Sequence, residues 1–307
     1  MPKWLVYCML ANLIWGFWGI IPKAIPDLDS LAMQVICTAG LVPVALLFTL
    51  SKNFRAGTNL PRGMAYAFAT GLCGGTGNVA LLEALNRGGE ASTVLPLTGI
   101  FPVVTVVLAM MILKEKPNFL QFFGIGMAVA AILLFSREEG AVAGDELLPW
   151  WRNLTSAWMA FALASLVLYG IAGVTQKLAT NDISCELSTI CFAAAFVAIA
   201  AVILATGRIS GNVSGKEWFL AILFGALIGV AMIASFAAYS WGKASVVTPL
   251  MALYPALTVV LAVALFGEKL DARKVTAIVL AIAAGAALGY ERSPKCGAES
   301  AGASTPP

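Results

Sequence analysis

Apolar residues run in blocks of about twenty along almost the whole chain, and polar residues collect in the short gaps between them. The blocks fall at about 4–22, 29–51, 63–86, 91–113, 118–136, 154–178, 185–206, 217–240, 245–267 and 272–290. A helix of roughly 20 apolar residues crosses the hydrocarbon core of a bilayer. Water cannot satisfy backbone amides there, so each block is expected to be helical. Strand-type alternation is absent, which argues against an outer-membrane barrel. The pattern predicts an all-α integral membrane protein with ten transmembrane helices. The longest gap, Arg137–Asn153, is polar and acidic and divides the chain near its middle.

The blocks also repeat. Ala91–Lys116 and Ala244–Lys269 are identical at 13 of 26 positions at an offset of 153. Earlier in each half the offset is 154: Gly16, Gly19 and Lys23 match Gly170, Gly173 and Lys177, Trp15 matches Tyr169, and Gly71 and Gly75 match Gly225 and Gly229. Each unit holds five blocks. The expected organisation is a first unit over 1–136, a connector over 137–153, a second unit over 154–290, and a disordered Ser/Pro/Gly/Ala-rich tail over 291–307. An odd number of crossings makes the second unit enter the membrane from the opposite face. Two inverted five-helix repeats then surround a two-fold axis in the membrane plane, an arrangement that lets a carrier open to each face in turn.

Composition agrees with a membrane setting: 60% of the 307 residues are hydrophobic and 11% charged, against about 25% charged in soluble domains. The net charge of +3 is not gathered on one basic face, so nucleic acid is not expected as a partner. Lipid and a small solute are, and a monomer suffices. The six cysteines have no metal-ligand spacing and the chain has no histidine, so neither metal nor other cofactor is expected. Gly71–Gly77 lacks the Lys-Ser/Thr of a phosphate loop. The first block has no convincing cleavage site and reads as a retained span. In the first half Lys3, Lys52, Arg55, Arg62, Lys114 and Lys116 fall on the side of the N-terminus, which predicts that both termini are cytoplasmic. In a bacterium this would be the inner membrane.

Polar groups deep in apolar blocks are the site candidates, because an amide or hydroxyl in hydrocarbon needs a partner or a cavity. They are Asn12, Trp15, Asn78 and Thr98 in the first half, and Tyr169, Gln176, Ser235, Tyr239 and Tyr254 in the second. Glu83 is a carboxylate within a span and the candidate for proton coupling. Arg87, four residues on, offers it a purely structural partner. Gly16, Gly19, Gly170 and Gly173 are read as packing or gating positions. Pro96, Pro102, Pro249 and Pro255 interrupt the fourth span of each half, as static kinks or as gates beside a watery cavity. Trp18, Trp150, Trp151, Trp218 and Trp241 are expected at the membrane interface, and Lys23 and Lys177 as snorkelling anchors.

These features together resemble the drug/metabolite transporter superfamily, in its EamA-type members. The resemblance is carried by Trp15-Gly16 with Gly19 and its echo Tyr169–Gly173, by Pro96-Leu97 with Phe101-Pro102 and Pro249-Leu250 with Tyr254-Pro255, and by Glu115-Lys116 and Glu268-Lys269. It implies ten helices, cytoplasmic termini, a central cavity lined by spans one, three, four, six, eight and nine, and movement of small metabolites such as amino-acid-like solutes. The glutamate in the middle of the first span of the related small multidrug exporters is absent here; Asn12 and Trp15 occupy that region. A lipid-linked sugar flippase or multidrug exporter on the same scaffold stays open. An intramembrane enzyme is a distant alternative, since midplane histidines, paired carboxylates and a G-x-S-x-G elbow are lacking.

Overall fold

A computed structural model of the protein describes residues 3–112, 119–135, 156–207, 213–242, 244–267 and 270–288. The connector 137–153, the tail 291–307, Trp150, Trp151, Glu115-Lys116 and Glu268-Lys269 lie outside the described residues. The helices are α1 (Lys3–Trp18), α2 (Ile21–Ala24), α3 (Ser30–Leu47), α4 (Leu60–Asn86), α5 (Ala91–Thr98), α6 (Pro102–Ile112), α7 (Phe119–Phe135), α8 (Ala157–Asp182), α9 (Cys185–Ala205), α10 (Gly215–Trp241), α11 (Ala244–Met251), α12 (Tyr254–Phe266) and α13 (Ala272–Leu288). Three spans are broken in two: α1 with α2, α5 with α6, and α11 with α12. The ten apolar blocks thus become ten membrane spans. Six of them, from Lys3–Ala24 to Gly215–Trp241, are at least 18 residues long and apolar enough to cross a bilayer by length and composition alone.

Proline explains where the breaks fall. It has no N–H to donate and its ring disfavours helix at the preceding residue. Pro22 stands in the first turn of α2, Pro102 opens α6 and Pro255 stands in the first turn of α12. At the break before α6 the backbone tightens, with Ile100 N bonding Leu97 O at 3.2 Å and Phe101 N bonding Thr98 O at 3.1 Å. These short-range bonds satisfy carbonyls that an unbroken helix would have paired four residues on. Pro96 lies inside α5, and Pro249 inside α11.

The two halves interlock rather than sit side by side. Helix α4 packs along α8, and the corresponding pair from the other copies is α10 along α1. In the same way α3 packs on α10 and α9 on α4, while α7 meets α13. Glycine sets the closest approach: a Cβ added at Gly225 would lie 1.7 Å from the Cys37 carbonyl oxygen of α3. Its repeat-mate Gly71 meets the Phe192 carbonyl of α9 at 2.5 Å in the same test. Only a residue without a side chain lets these backbones touch, which in lipid supplies the packing that hydrophobicity cannot.

Contacts at the two ends establish the inversion. At one end the Lys3 ammonium lies 5.2 Å over the Trp241 ring, Arg62 pairs with Asp182 at 3.5 Å, and Ser51 bonds Glu186 at 2.9 Å. At the other end Lys216 donates to the Ala24 carbonyl at 3.1 Å and Arg87 lies 4.8 Å over Phe161. Arg62 and Lys216 hold equivalent positions in the repeat, yet occupy opposite ends. Large apolar side chains such as Leu50, Phe119 and Phe219 point outward, as they must in a protein whose solvent on that side is hydrocarbon.

Candidate functional site

The repeats meet around a cavity of about 750 Å³ of empty space, its open side included. Ligand sites of small molecules fall in the range of about 300–1,000 Å³. Its walls come from α1, α4, the α5–α6 break, α8, α9, α10, α11 and α12. In terms of spans these are one, three, four, six, eight and nine, with the seventh in addition through Phe192 and Phe196 of α9.

Of the sequence-derived candidates, Trp15, Asn78, Tyr169, Gln176, Ser235, Tyr239 and Tyr254 all line this cavity. Two of these are repeat-mates, Trp15 and Tyr169. A second mated pair is completed by Phe101, which corresponds to Tyr254. Phe101 and Tyr169 meet edge to face with centroids 6.3 Å apart. The indole N–H of Trp15 donates to the Ser235 hydroxyl at 3.4 Å, and the Tyr239 hydroxyl shares a 2.7 Å bond with that of Thr248.

Asn12 and Thr98 stand behind the walls. Asn12 Nδ2 donates at 2.8 Å to the Leu250 carbonyl, near the ragged end of α11. It thereby satisfies a backbone group beside the break in the ninth span. Thr98 is fully buried, bonds the Leu95 carbonyl at 3.1 Å and neighbours the Tyr254 phenol. Glu83 also lies away from the cavity. Its carboxylate takes the Arg87 guanidinium at 2.9 Å, one turn on in the same helix, and accepts a hydrogen bond from Ser30 at the start of α3.

Two expectations need correcting. Trp18 is not an interface anchor: only 3% of it is exposed, it stacks on Phe224 at 4.8 Å, and it forms part of the cavity wall. The reason is the break after α1, which puts Trp18 well inside the protein although it is near the end of an unbroken helical reading. Trp218 and Trp241 are exposed, at 46% and 64%. Lys177 does not snorkel outward. Its ammonium donates to the Tyr239 and Gly242 carbonyls at 2.9 and 3.1 Å, closing the C-terminal end of α10. Sequence reasoning also missed Gln34, a fully buried amide whose Oε1 accepts from Asn78 Nδ2 at 2.6 Å. A lone amide in the apolar block 29–51 was the available signal.

The four glycines lie where spans cross. A Cβ at Gly16 would lie 2.5 Å from Leu257 Cδ2, and one at Gly170 2.4 Å from Val104 Cβ. Val104 and Leu257 are themselves repeat-mates. Gly19 faces Thr258 and Gly173 faces Thr105, again a mated set.

An all-helical, multi-pass membrane protein made of two inverted units around a cavity has the build of a carrier. The chain belongs to the EamA-like transporter family, whose model matches residues 2–137 and 156–289. It is therefore a membrane transporter by family, and the same match points away from an enzyme. It is 23% identical over 243 residues to the uncharacterised transporter YojE of Bacillus subtilis (strain 168), covering 75% of this chain and 74% of that protein. It is 36% identical over 129 residues to the uncharacterised protein MJ1333.1 of Methanocaldococcus jannaschii, covering 42% of this chain but 92% of that protein. That relative is thus about as long as one repeat. A solved crystal structure shares the fold, with a TM-score of 0.67 at 16% identity over 93% of this chain and 95% of its own.

Proposed function

We propose that the protein moves a small organic metabolite, of the amino-acid-like size range, across the membrane by alternating access, with the central cavity as its seat. The observation that carries this reading is the cavity's position: residues of both repeats wall it, along the line where they meet. In an inverted repeat, exchanging the conformations of the two halves turns an opening toward one face into an opening toward the other.

The cavity is lopsided between the two ends of the molecule, which supports the same reading. Gln176, Tyr239 and Met251 extend it toward the end of the molecule that holds Lys3 and Trp241. Their repeat-mates Pro22, Leu85 and Thr98, toward the other end, are not among the lining residues. The paired helices agree: α5 packs more extensively on α12 than α11 does on α6. In this reading the cavity corresponds to the access state that reaches toward the side of the N-terminus. With cytoplasmic termini that side is the cytoplasm. Glu83 is the candidate for coupling to protons, as a carboxylate within a span that holds both Arg87 and Ser30.

A metabolite-library thermal-shift screen on the purified protein, followed by flux in vesicles of defined pH gradient, tests the proposal. A bound solute that crosses only in protein-containing vesicles supports it. Specific binding without flux in either direction would overturn it.

A further inference from the structure

We infer that the solute is a flat, uncharged aromatic compound with hydrogen-bonding groups on its rim. This rests on the reading of the central cavity as the solute's seat. Three independent properties of the walls lead to it.

The first is shape. Trp15, Tyr169, Phe101 and Tyr254 are two sets of repeat-mates, one residue of each set from either half. They frame the cavity at the pseudo-axis, and the pairs Phe101–Tyr169 and Trp15–Trp18 already meet edge to face. A planar ring between them gains stacked and edge contacts that an aliphatic solute of equal volume does not. Exchange of the two halves maps this frame onto itself. A ring held there keeps aromatic neighbours in both access states.

Charge is the second property. Among the described residues, none that lines the cavity is charged. Aromatic walls alone would suit a cation. Lys177, which follows Gln176 in α8, is not among the lining residues; its ammonium is bonded to the backbone carbonyls of Tyr239 and Gly242. With no carboxylate among the lining residues, a cation in the cavity is desolvated without an ionic partner. An anion likewise finds no Lys or Arg among the lining residues to offset the loss of its water.

The third is polarity. Asn78 Oδ1, Gln176 Nε2 and Trp18 Nε1 are buried without a hydrogen-bond partner in the protein, and all three belong to lining residues less than one-tenth exposed. Turned toward the cavity, these groups would pair with a solute carrying both a donor and an acceptor. Asn78 has Met232 as its mate and Gln176 has Pro22, so the polar demand does not repeat across the axis. The frame is symmetric while the polar groups are not, and this fixes which way round the ring lies.

Isothermal titration of the full chain in detergent tests this with four probes of similar size: nicotinamide, the N-methylnicotinamide cation, nicotinate and cyclohexanecarboxamide. Nicotinamide is expected to bind on the order of tenfold tighter than each of the others. Tyr254→Leu weakens nicotinamide about fivefold through the lost ring, whereas Tyr254→Phe, which keeps the ring, holds it within about twofold. Equal or tighter binding of either ion or of the aliphatic amide overturns the inference, as does no binding of any probe. Titration does not depend on flux. A charged or aliphatic probe seated in the cavity removes the aromatic class and leaves the transport reading standing. Nicotinamide that binds as expected to a protein moving nothing in vesicles does the reverse.

Discussion

The hydroxyl of Thr258 donates to the carbonyl of Gly16 at 3.0 Å across the two halves, and Thr105 donates to Gly170 at the same distance in the mated crossing. The residues are repeat-mates, so one joint occurs twice. At the first it takes up a carbonyl in the last turn of α1, where Ile20 N has turned to Phe17 instead. Each joint ties one half to the other, and the pair is preserved when the two halves are exchanged; in the alternating-access cycle proposed above, these joints would stay in place.

Gly16→Ala should lower thermal stability in detergent by about 1–3 kcal/mol, the usual penalty of overpacking. The added methyl meets Leu257 at Cδ2, Cγ and Cβ, 2.5, 2.9 and 3.0 Å away, so Leu257→Ala, which removes the two nearest atoms, should restore part of the loss. Gly170→Ala meets Val104 at its Cβ and the Phe101 carbonyl at 3.1 Å, and Val104→Ala retains that Cβ. Rescue at the first joint without rescue at the second is the expected outcome of melting the four variants. Equal rescue at both would contradict the close packing described.

Asn78 and Gln34 are better removed together than singly. Asn78→Leu leaves the Gln34 amide buried without its partner, at a cost of about 1–3 kcal/mol. The double variant Gln34→Leu with Asn78→Leu should melt closer to the parent than either single variant. A double variant showing the sum of both losses would mean the amides act separately.

Glu83→Gln should flatten the pH dependence of uptake, if protons are coupled through this carboxylate. Its pairing with Arg87 is partly exposed, at 21% and 49%, so the stability change should stay below about 1 kcal/mol. Uptake in vesicles across a pH series reads the first effect and melting the second. Proton coupling that persists unchanged in the variant removes Glu83 from the mechanism.

Arg62 and Lys216 give the plainest test of orientation. In a background freed of native cysteines, Arg62→Cys should react with an impermeant thiol reagent from the cytoplasmic side and Lys216→Cys from the opposite side. Labelling of both from one face would break the inverted arrangement.

Much of the fold was legible because lipid imposes a coarse rule: apolar length sets a span, and proline marks a break. Pro102 and Pro255 fall within a residue of the observed helix starts. The duplicated Gly16 and Gly170 announced the crossings. What escaped was direction. A helical reading of the first block carries Trp18 to the membrane boundary, and only the break before Pro22 turns it inward. Phe192 and Phe196 sit in a span with little helical asymmetry, so nothing in their spacing marks the side that meets the cavity. Lys177 has the position of an anchor by sequence, and its true partners are backbone carbonyls that no side-chain pattern can announce. The repeat identified which residues correspond, but mates do not share membership of the wall: Gln176 and Tyr239 line it while Pro22 and Leu85 do not.

The interlocking of α4 with α8 and of α1 with α10 governs how the chain must be made. Synthesis delivers the first five spans before α8 exists, so their glycine-lined faces wait in lipid for partners that arrive later. The core therefore closes after insertion, through contacts between residues far apart in sequence, from Arg87 with Phe161 to Lys3 with Trp241, a slow kind of assembly. Neither unit has a finished interior of its own. Two separately expressed fragments, cut between 137 and 153, would each be an incomplete object in the bilayer, and stability would return only when both occupy the same membrane.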